Sequence, residues 1–349
     1  TTKLVEVQRM SRTASSAAPG TRTAVRLARV TVVVLAVLCG VALAAAWAAR
    51  QGLLTADDAA LRARYALPQS RFVTLDGQHI HYVDEGSGPV VLLLHGSYGS
   101  LRVWEDWARI LRADYRVVRF DRPPMGLSSP AAQSPTSPGT ADMQLIDALT
   151  AKLGIERFFL VGTSSAGLPA AAYAASHPER VAGVVLANIA VDAIKPAATH
   201  LPLELRIGLQ ISRWLGGWRP EFVWRLVLQR NLYDQTQVTP QLVREWTDLN
   251  NRAVRLPKPG YSPSGAMFAR TREDLPKLRV PTLLLWSADD HEFPVDTTAR
   301  RGLTAVGAAD KSLVVVERCG HMMPIDCGSR SARAAKATLD RWSLATPFQ

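Results

Sequence analysis

The sequence predicts an α/β fold with a doubly wound, mostly parallel sheet, an inserted helical lid and an N-terminal transmembrane helix. From Arg71 onward, short apolar runs alternate with helical patterns, as expected of βαβ units that build a parallel sheet. Residues 191–270 interrupt this alternation with helical segments rich in Leu, Arg and Trp. Residues 30–49 carry no charge, and a helix of that length spans about 30 Å, the thickness of a bilayer's hydrocarbon layer.

A basic leader, residues 1–29, precedes the apolar segment. Residues 1–64 contain nine Lys and Arg against three Asp and Glu, so they hold more than half of the net charge of +11. This bias predicts a cytoplasmic N-terminus and places the rest of the chain on the far side of the membrane, beginning with a juxtamembrane stalk over residues 50–70. A cleaved secretory signal is the alternative, because Ala44–Ala46 fits a cleavage site, and the body would then be secreted. The apolar run is longer than the apolar region of a signal peptide, which has about 7–15 residues, and this favours an uncleaved anchor.

The first half of the core, residues 71–190, begins with antiparallel strands. Period-two strands at residues 71–77 and 78–86 meet at Asp76 and Gly77, a hairpin signal. A continuous apolar run over 89–96 indicates a strand buried on both faces. The remaining predicted elements are, in chain order, a helix over 101–113, a strand over 115–121, a helix over 141–153, a strand over 157–162, a helix over 168–178 and a strand over 181–189.

The predicted lid over 191–270 contains three helical segments. Trp214, Trp218 and Trp224 are expected to pack mainly in the lid core, with some of them lining a pocket over the sheet. The second half of the core, residues 271–349, returns to strands at 280–287 and 311–317 and ends with a helix over 329–343.

Two adjacent serines in VGTSSAGLP, residues 161–169, lie between a predicted strand and an Ala-rich helix. A strand, a tight turn and a helix form the setting of a nucleophile elbow, which holds its serine in a strained conformation. The residues two before and two after that serine must be small. Gly162 and Ala166 flank Ser164 in this way, whereas Ser165 would be flanked by a β-branched residue. Ser164 is therefore predicted to be the nucleophile, with Ala166 as a departure from the usual glycine.

A serine hydroxyl needs a base within hydrogen-bond reach. His321 follows the last predicted strand in a Gly-His loop, and the expected order in this kind of fold is serine, acid, histidine. Asp290 and Asp289 both follow the preceding strand and compete for the role of the acid, and Asp192 is a more distant candidate. Because these strands end at the same edge of the sheet, the side chains are predicted to meet there.

From about Arg71 to Ser343 the chain resembles lid-bearing α/β-hydrolases, which include esterases, C–C bond hydrolases, non-haem haloperoxidases, epoxide hydrolases and haloalkane dehalogenases. The matching stretches are, in order, LLLHGSYGS, VVRFDRPPMGLSS, LVGTSSAG, PTLLLWSADDHEFP and ERCGHMMP. In the family pattern the acid comes four residues after a Trp and four before a Pro, and both counts give Asp290. Ser287 and Pro124 stand where the family usually has glycine.

The resemblance also implies which groups surround the nucleophile. The backbone N–H of Ser97, which follows the pair His95-Gly96, and that of Ser165 would form an oxyanion hole. The side chains of Tyr98 and His95 would contact the substrate.

The enzymes of this family differ in their nucleophile, which is a serine in some and an aspartate in others. A serine at position 164, rather than an aspartate, argues against the alkyl-enzyme route of epoxide hydrolases and haloalkane dehalogenases. We therefore predict a serine hydrolase that cleaves a carboxylic ester of a small or medium apolar acid through an acyl-enzyme. C–C bond hydrolysis is the second hypothesis, because HGSYGS lacks the Gly-Pro-Gly-like loop of those enzymes. The third is a membrane-tethered binding protein without activity, against which the intact Ser-Asp-His set argues.

The expected partners are a small apolar ester or acyl substrate and a membrane. The body shows neither the basic face nor the stacking motif of a nucleic-acid binder, and without a dinucleotide fingerprint or phosphate loop no cofactor is predicted. His79 and His81 share a strand face but lack the further ligands of a metal site. Cys319 and Cys327 flank His321, and their pairing is left open, as is the oligomeric state.

Overall fold

The computed structural model describes residues 21–129, 139–193, 201–256 and 268–345. The chain separates into two compact units, residues 1–48 and residues 49–349.

The first unit holds most of helix α1 (Thr21–Arg50). The stretch Thr23–Arg50 reaches a mean hydropathy of 2.6 over its most apolar part. Among the described residues it is the one helix that is long and apolar enough to cross a membrane. A signal sequence shares these properties, so the helix suits both alternatives that the sequence leaves open.

The second unit is built on one sheet of eight described strands. They are β1 (Arg71–Leu75), β2 (Gln78–Glu85), β3 (Val90–Leu94), β4 (Arg116–Phe120), β5 (Phe158–Thr163), β6 (Val181–Ala187), β7 (Thr282–Ser287) and β8 (Lys311–Val316). Their order across the sheet is β1-β2-β4-β3-β5-β6-β7-β8. The pairs β1/β2 and β2/β4 are antiparallel, and all later pairs are parallel. The predicted α/β fold with antiparallel edge strands is confirmed.

The central strands are buried on both faces. All five residues of β3 and all seven of β6 are buried. Along β3, Leu92 and Leu94 belong to one apolar core, whereas Val91 and Leu93 belong to the other. Successive side chains of a strand point to opposite faces, so a strand between two cores needs the continuous apolar runs seen in the sequence.

Helices cover the sheet and fill the insertion between β6 and β7. In chain order they are α2 (Asp58–Tyr65), α3 (Glu105–Leu111), α4 (Thr140–Lys152), α5 (Gly167–Ser176), α6 (Leu203–Trp214), α7 (Glu221–Asn231), α8 (Pro240–Asn251), α9 (Ala269–Asp274), α10 (Arg300–Ala305), α11 (Met323–Asp326) and α12 (Gly328–Ala345). Helices α6, α7 and α8 fall within the predicted lid. The sequence does not predict α9, α10 and α11, because helices of four to six residues are too short to show a period.

The lid has a small core of its own. Trp224 of α7 packs edge-on against Trp246 of α8, with ring centroids 6.0 Å apart. Trp224 is buried, as predicted, and Trp218 is partly buried. The expectation that Trp214 packs mainly in the lid core is wrong, because it is 50% exposed. It lies on the exposed face of α6, with Leu203, Ile207 and Ile211.

Helix α2 lies within the predicted stalk and packs on the body. Leu61 and Tyr65 join an apolar cluster that includes Leu249 of α8. Asp58 forms a two-fold hydrogen bond with the guanidinium of Arg252, at 3.0 and 2.8 Å. Arg252 is 2% exposed, so this ion pair is anchored in the interior. The second half of the stalk segment is thus part of the folded body.

Candidate active site

Ser164 lies in the turn between β5 and α5, at the carboxyl edge of the parallel strands. Its φ is +52°, in the left-handed region that residues with a side chain rarely adopt. A Cβ on Gly162 would lie 2.7 Å from the carbonyl oxygen of Ala166 and 2.8 Å from the Cβ of Ala170. The turn therefore requires small residues around Ser164, which is the steric pattern of a nucleophile elbow.

Three side chains from separate segments form one hydrogen-bonded chain. Oγ of Ser164 lies 3.0 Å from Nε2 of His321, and Nδ1 of His321 lies 2.8 Å from Oδ2 of Asp290. These residues follow β5, β8 and β7, whose carboxyl ends share one edge of the sheet. Asp290 and His321 are 3% and 6% exposed, so water competes little for the bond between them.

The carboxylate of Asp290 is oriented by its own loop. Its Oδ1 accepts hydrogen bonds from the backbone N–H groups of Glu292 and Phe293, at 2.8 and 2.9 Å. These bonds leave Oδ2 facing the Nδ1–H of His321. The ring of Phe293 also packs edge-on against the imidazole, with centroids 5.2 Å apart.

The competing carboxylates have other partners. Asp289 accepts a hydrogen bond from the backbone N–H of Cys319. Asp192 pairs with Arg272 at 3.1 Å and with Arg301 at 2.8 Å. Neither is hydrogen-bonded to the imidazole at position 321, so the geometry selects Asp290, in agreement with the spacing in the sequence.

The imidazole of His321 faces two carboxylates. Oε2 of Glu292 lies 3.5 Å from Nε2 of His321, the nitrogen that also contacts Ser164. Burial lowers the pKa of His321, but the charges of Asp290 and Glu292 raise it, and the result is a pKa of about 9 against an ordinary 6.5. Glu292 is not predicted from the sequence, because the family pattern concerns only the acid two positions earlier.

The two predicted oxyanion donors are neighbours in space. Gly96 approaches Ser164 so closely that a Cβ on it would lie 2.9 Å from the Cβ of Ser164. Oγ of Ser97 donates to Oγ of Ser165 at 2.9 Å, which joins the loop after β3 to the turn after β5. Ser165 lies in the first turn of a short 3₁₀ helix, where backbone N–H groups have no intrahelical acceptor.

His95 does not lie where a substrate could touch it, and that prediction is wrong. The ring is fully buried. Its Nδ1 donates to the carbonyl oxygen of Gly96 at 2.8 Å, and its Nε2 accepts from the backbone N–H of Arg122 at 2.9 Å. Burial and the charge of Arg122 lower the pKa of His95 to about 4, so the ring is neutral. His95 instead holds the loop that carries Ser97.

Tyr98 links the same loop to the lid. Its ring packs edge-on against Trp224, with centroids 5.3 Å apart, and its carbonyl oxygen accepts from Nδ2 of Asn250 at 3.0 Å. The guanidinium carbon of Arg219 lies 4.8 Å from the centroids of both aromatic rings. Tyr98 is 44% exposed. This position permits the predicted contact with a substrate, which stays a prediction.

Asn188 and Asp326 hold the loop of His321, and neither is predicted from the sequence. Nδ2 of Asn188 donates to the carbonyl oxygen of His321 at 2.9 Å, and its Oδ1 accepts from the backbone N–H of Ser287 at 2.8 Å. The carboxylate of Asp326 accepts from the backbone N–H of Gly320. The sequence offers only weak signals for them: Asn188 directly follows a strand, and Asp326 lies five positions after His321.

A disulfide bond joins Cys319 and Cys327 on either side of His321. The sequence left this pairing open, and the structure forms it. Cys39, in α1, is free. The loop of the imidazole is thus closed covalently as well as by hydrogen bonds.

A second serine–histidine–aspartate chain lies elsewhere in the body. Nε2 of His81 lies 2.6 Å from Oγ of Ser70, and its Nδ1 lies 2.7 Å from Oδ2 of Asp121. Ser70 lacks the positive φ of Ser164, so this serine is not held in a strained turn. His79, the other histidine of this strand, bonds to Thr74. Across the described ranges, no group of three or more His, Cys, Asp and Glu side chains could hold a metal ion.

A family model described as the α/β hydrolase fold matches residues 89–326. The match covers more than half of the chain and includes Ser164, Asp290 and His321. The chain belongs to the α/β-hydrolase family. It is a hydrolase of the α/β fold.

This α/β-hydrolase is similar to 2-hydroxy-6-oxo-6-phenylhexa-2,4-dienoate hydrolase of Comamonas testosteroni, with 28% identity over 253 residues, 69% of this chain and 84% of that protein. Its fold is similar to that of a membrane phospholipase A, with a TM-score of 0.59 and 24% identity over 91% of this chain and 98% of that one. It is also similar to that of an esterase from Thermogutta terrifontis, with a TM-score of 0.62 and 22% identity over 78% of this chain and 99% of that one.

Proposed function

We propose that this α/β-hydrolase is a serine hydrolase that cleaves a carboxylic ester through an acyl-enzyme intermediate. The observation that carries the proposal is the hydrogen-bonded chain from Ser164 through His321 to Asp290, with the serine in a strained turn. A hydroxyl 3.0 Å from an imidazole nitrogen can pass its proton to that nitrogen while its oxygen attacks a carbonyl carbon.

In the first half-reaction, Oγ of Ser164 attacks the ester carbonyl and Nε2 of His321 takes the hydroxyl proton. Asp290 orients the imidazole through Nδ1–H and stabilises the imidazolium. The backbone N–H groups of Ser97 and Ser165 bind the negative oxygen of the tetrahedral intermediate, and such donors are worth about 3 kcal/mol each. The C–O bond then breaks, the departing alcohol takes the proton from His321, and water releases the acid in a second round of the same steps.

A neutral, apolar ester is the substrate class that the surroundings favour. The half-exposed ring of Tyr98 places aromatic surface on the loop after β3, where that loop meets the lid. The carboxylate of Glu292 is 34% exposed and lies beside the nucleophile's base, where its charge repels an anionic substrate.

C–C bond hydrolysis is the second candidate. The relative from Comamonas testosteroni is named as a hydrolase of a dienoate. In this chain, the position of Arg219 favours an anionic substrate. Arg219 has no carboxylate partner within the described part of the chain, and its guanidinium lies beside the ring of Tyr98. A guanidinium in that position would pair with a substrate carboxylate.

Steady-state turnover by the full-length protein separates these candidates. The substrates are p-nitrophenyl acyl esters and 2-hydroxy-6-oxo-6-phenylhexa-2,4-dienoate. Ester hydrolysis predicts turnover of the neutral esters that Ser164→Ala abolishes and Arg219→Ala leaves in place. Turnover of the dienoate alone, lost in Arg219→Ala and kept in Arg219→Lys, would favour C–C hydrolysis. No turnover of either substrate would favour the inactive binding protein.

We also propose that α1 is an uncleaved anchor, with the N-terminus in the cytoplasm and the body on the far side. The basic residues before the apolar run support this orientation. The disulfide bond of the body suits an oxidising compartment outside the cytoplasm. The untreated protein is expected in the membrane fraction. Protease added to intact cells is expected to digest the body. A soluble body that lacks α1 would instead favour a cleaved signal.

A further inference from the structure

Helix α6 carries an exposed apolar stripe. Leu203, Ile207, Ile211 and Trp214 are 63%, 51%, 37% and 50% exposed. Residues three and four positions apart lie on the same side of a helix, so the four side chains form one continuous surface opposite the buried Leu205. Single exposed apolar residues are common on proteins, but a contiguous row marks a site of interaction.

Basic and aromatic side chains flank this stripe. Arg206 and Arg213 are exposed on α6 and form no ion pair with any described residue. Phe222 of α7 is also exposed and reaches α6, because a Cβ on Gly208 would lie 3.2 Å from its Cε2. An apolar stripe with arginines beside it is the composition of a helix that lies in a lipid interface, where anionic headgroups attract the guanidinium groups.

The chain enters the body next to this helix. Arg50 is the last residue of α1 and belongs to the same compact unit as α6. A Cβ on Gly216, two residues after α6, would lie 3.1 Å from Cγ of Arg50. Leu53 and Leu54, just beyond Arg50, are also exposed. The end of α6 therefore lies beside Arg50, at the start of the second unit.

We propose that the stripe formed by Leu203, Ile207, Ile211 and Trp214 docks on the surface of the lipid bilayer that α1 spans. Its four side chains enter the boundary between headgroups and acyl chains, and the flanking arginines pair with anionic headgroups. The proposal rests on the proposed membrane anchor and is independent of the bond that the enzyme cleaves.

The test uses the full-length chain with Cys39→Ala, reconstituted without reductant in vesicles of phosphatidylcholine and phosphatidylglycerol. An environment-sensitive fluorophore is attached at Ile207→Cys and, as the matched control, at Glu156→Cys, an exposed position outside the lid. Docking predicts that emission from position 207 shifts to shorter wavelength and is quenched by brominated acyl chains, while the label at position 156 behaves as in water. Unquenched, water-like emission at position 207 would overturn the proposal.

A second copy of the chain is the rival occupant of the stripe. Quenching by brominated lipid that persists when the protein is diluted in the vesicles supports docking. An emission shift that is lost on dilution and is not quenched overturns it in favour of a dimer. If the chain does not sediment with vesicles at all, the anchor fails and docking fails with it. If the chain sediments and the label stays water-like, docking alone fails.

A second variant removes the stripe without touching the buried face of α6. Ile207→Glu with Ile211→Glu changes two exposed side chains, so the thermal unfolding of the protein is expected to stay unchanged. A label at Trp214→Cys in this background is expected to lose its quenching by brominated lipid. Quenching that is retained would overturn the proposal. Gln210→Glu, which adds one charge beside the stripe, is the matched control and should retain the quenching.

Discussion

Oε2 of Glu292 lies 3.5 Å from Nε2 of His321, and Oγ of Ser164 faces the same nitrogen at 3.0 Å. When Nε2 of His321 carries a proton, the carboxylate of Glu292 competes with Oγ of Ser164 to accept a hydrogen bond from it. With Asp290, it raises the pKa of His321 against the lowering effect of burial. An imidazolium cannot act as a base, so the proposed reaction needs the neutral form of His321.

Activity is expected to rise with pH through about 9, the pKa of His321, because the neutral imidazole appears as the proton leaves. Glu292→Gln keeps the size of the side chain and removes its charge. The rising limb of the pH–activity profile should therefore move to lower pH, and activity at neutral pH should increase. The measurement is kcat/KM for a neutral ester against pH, which reports the pKa of the free enzyme.

The control for this variant is Asp296→Asn. Asp296 is an exposed carboxylate four residues after Glu292, paired with Arg300 on the surface, so its loss should leave the limb in place. A limb that does not move in Glu292→Gln would show that this carboxylate does not act on the imidazole.

The disulfide bond between Cys319 and Cys327 should support both stability and catalysis. It closes a loop with a sequence separation of 8, for which loop-closure entropy gives about 2.5 kcal/mol. Cys319→Ser with Cys327→Ser is expected to lower the free energy of unfolding by about that amount. Because the loop carries His321, kcat should fall more than KM rises. Urea unfolding and steady-state kinetics are the measurements, with Cys39→Ser as control. An unchanged kcat would mean that hydrogen bonds alone position the imidazole.

Leu61 of α2 should contribute to the stability of the body, although its segment reads as a stalk in the sequence. It is fully buried, and Leu→Ala at such a site costs about 2–5 kcal/mol. Leu54→Ala, at a half-exposed position, is the matched control and should cost below about 1 kcal/mol. Urea unfolding of the full-length protein compares them. Equal stabilities would show that α2 is not part of the folded body. A protein that begins at Ala66 lacks α2 and should be less stable than Leu61→Ala.

Features that depend on neighbouring residues could be predicted from the sequence. Ser164 can be distinguished from Ser165 because the turn requires small residues two positions before and after the nucleophile, and Gly162 and Ala166 meet that requirement. The sheet is predictable for the same reason, since a strand between two cores must be apolar throughout.

Features that depend on distant segments could not be predicted. Asn188 and Asp326 act on the loop of His321 from other elements, and the burial of His95 depends on Arg122. Helix α6 illustrates the limit most clearly. Its exposed face is as apolar as its buried one, so the periodicity shows two apolar faces and does not tell which of them packs on the protein.

The site at which a fluorophosphonate probe attaches shows whether Ser164 is a nucleophile activated by His321. Peptide mass spectrometry of the labelled full-length protein locates the adduct. We expect an adduct on Ser164 that is absent in Ser164→Ala, forms much more slowly in His321→Ala, and persists in Ser165→Ala, whose backbone N–H remains. An adduct on Ser165 or Ser70, or labelling that His321→Ala does not slow, would show that Ser164 is not a nucleophile activated by His321.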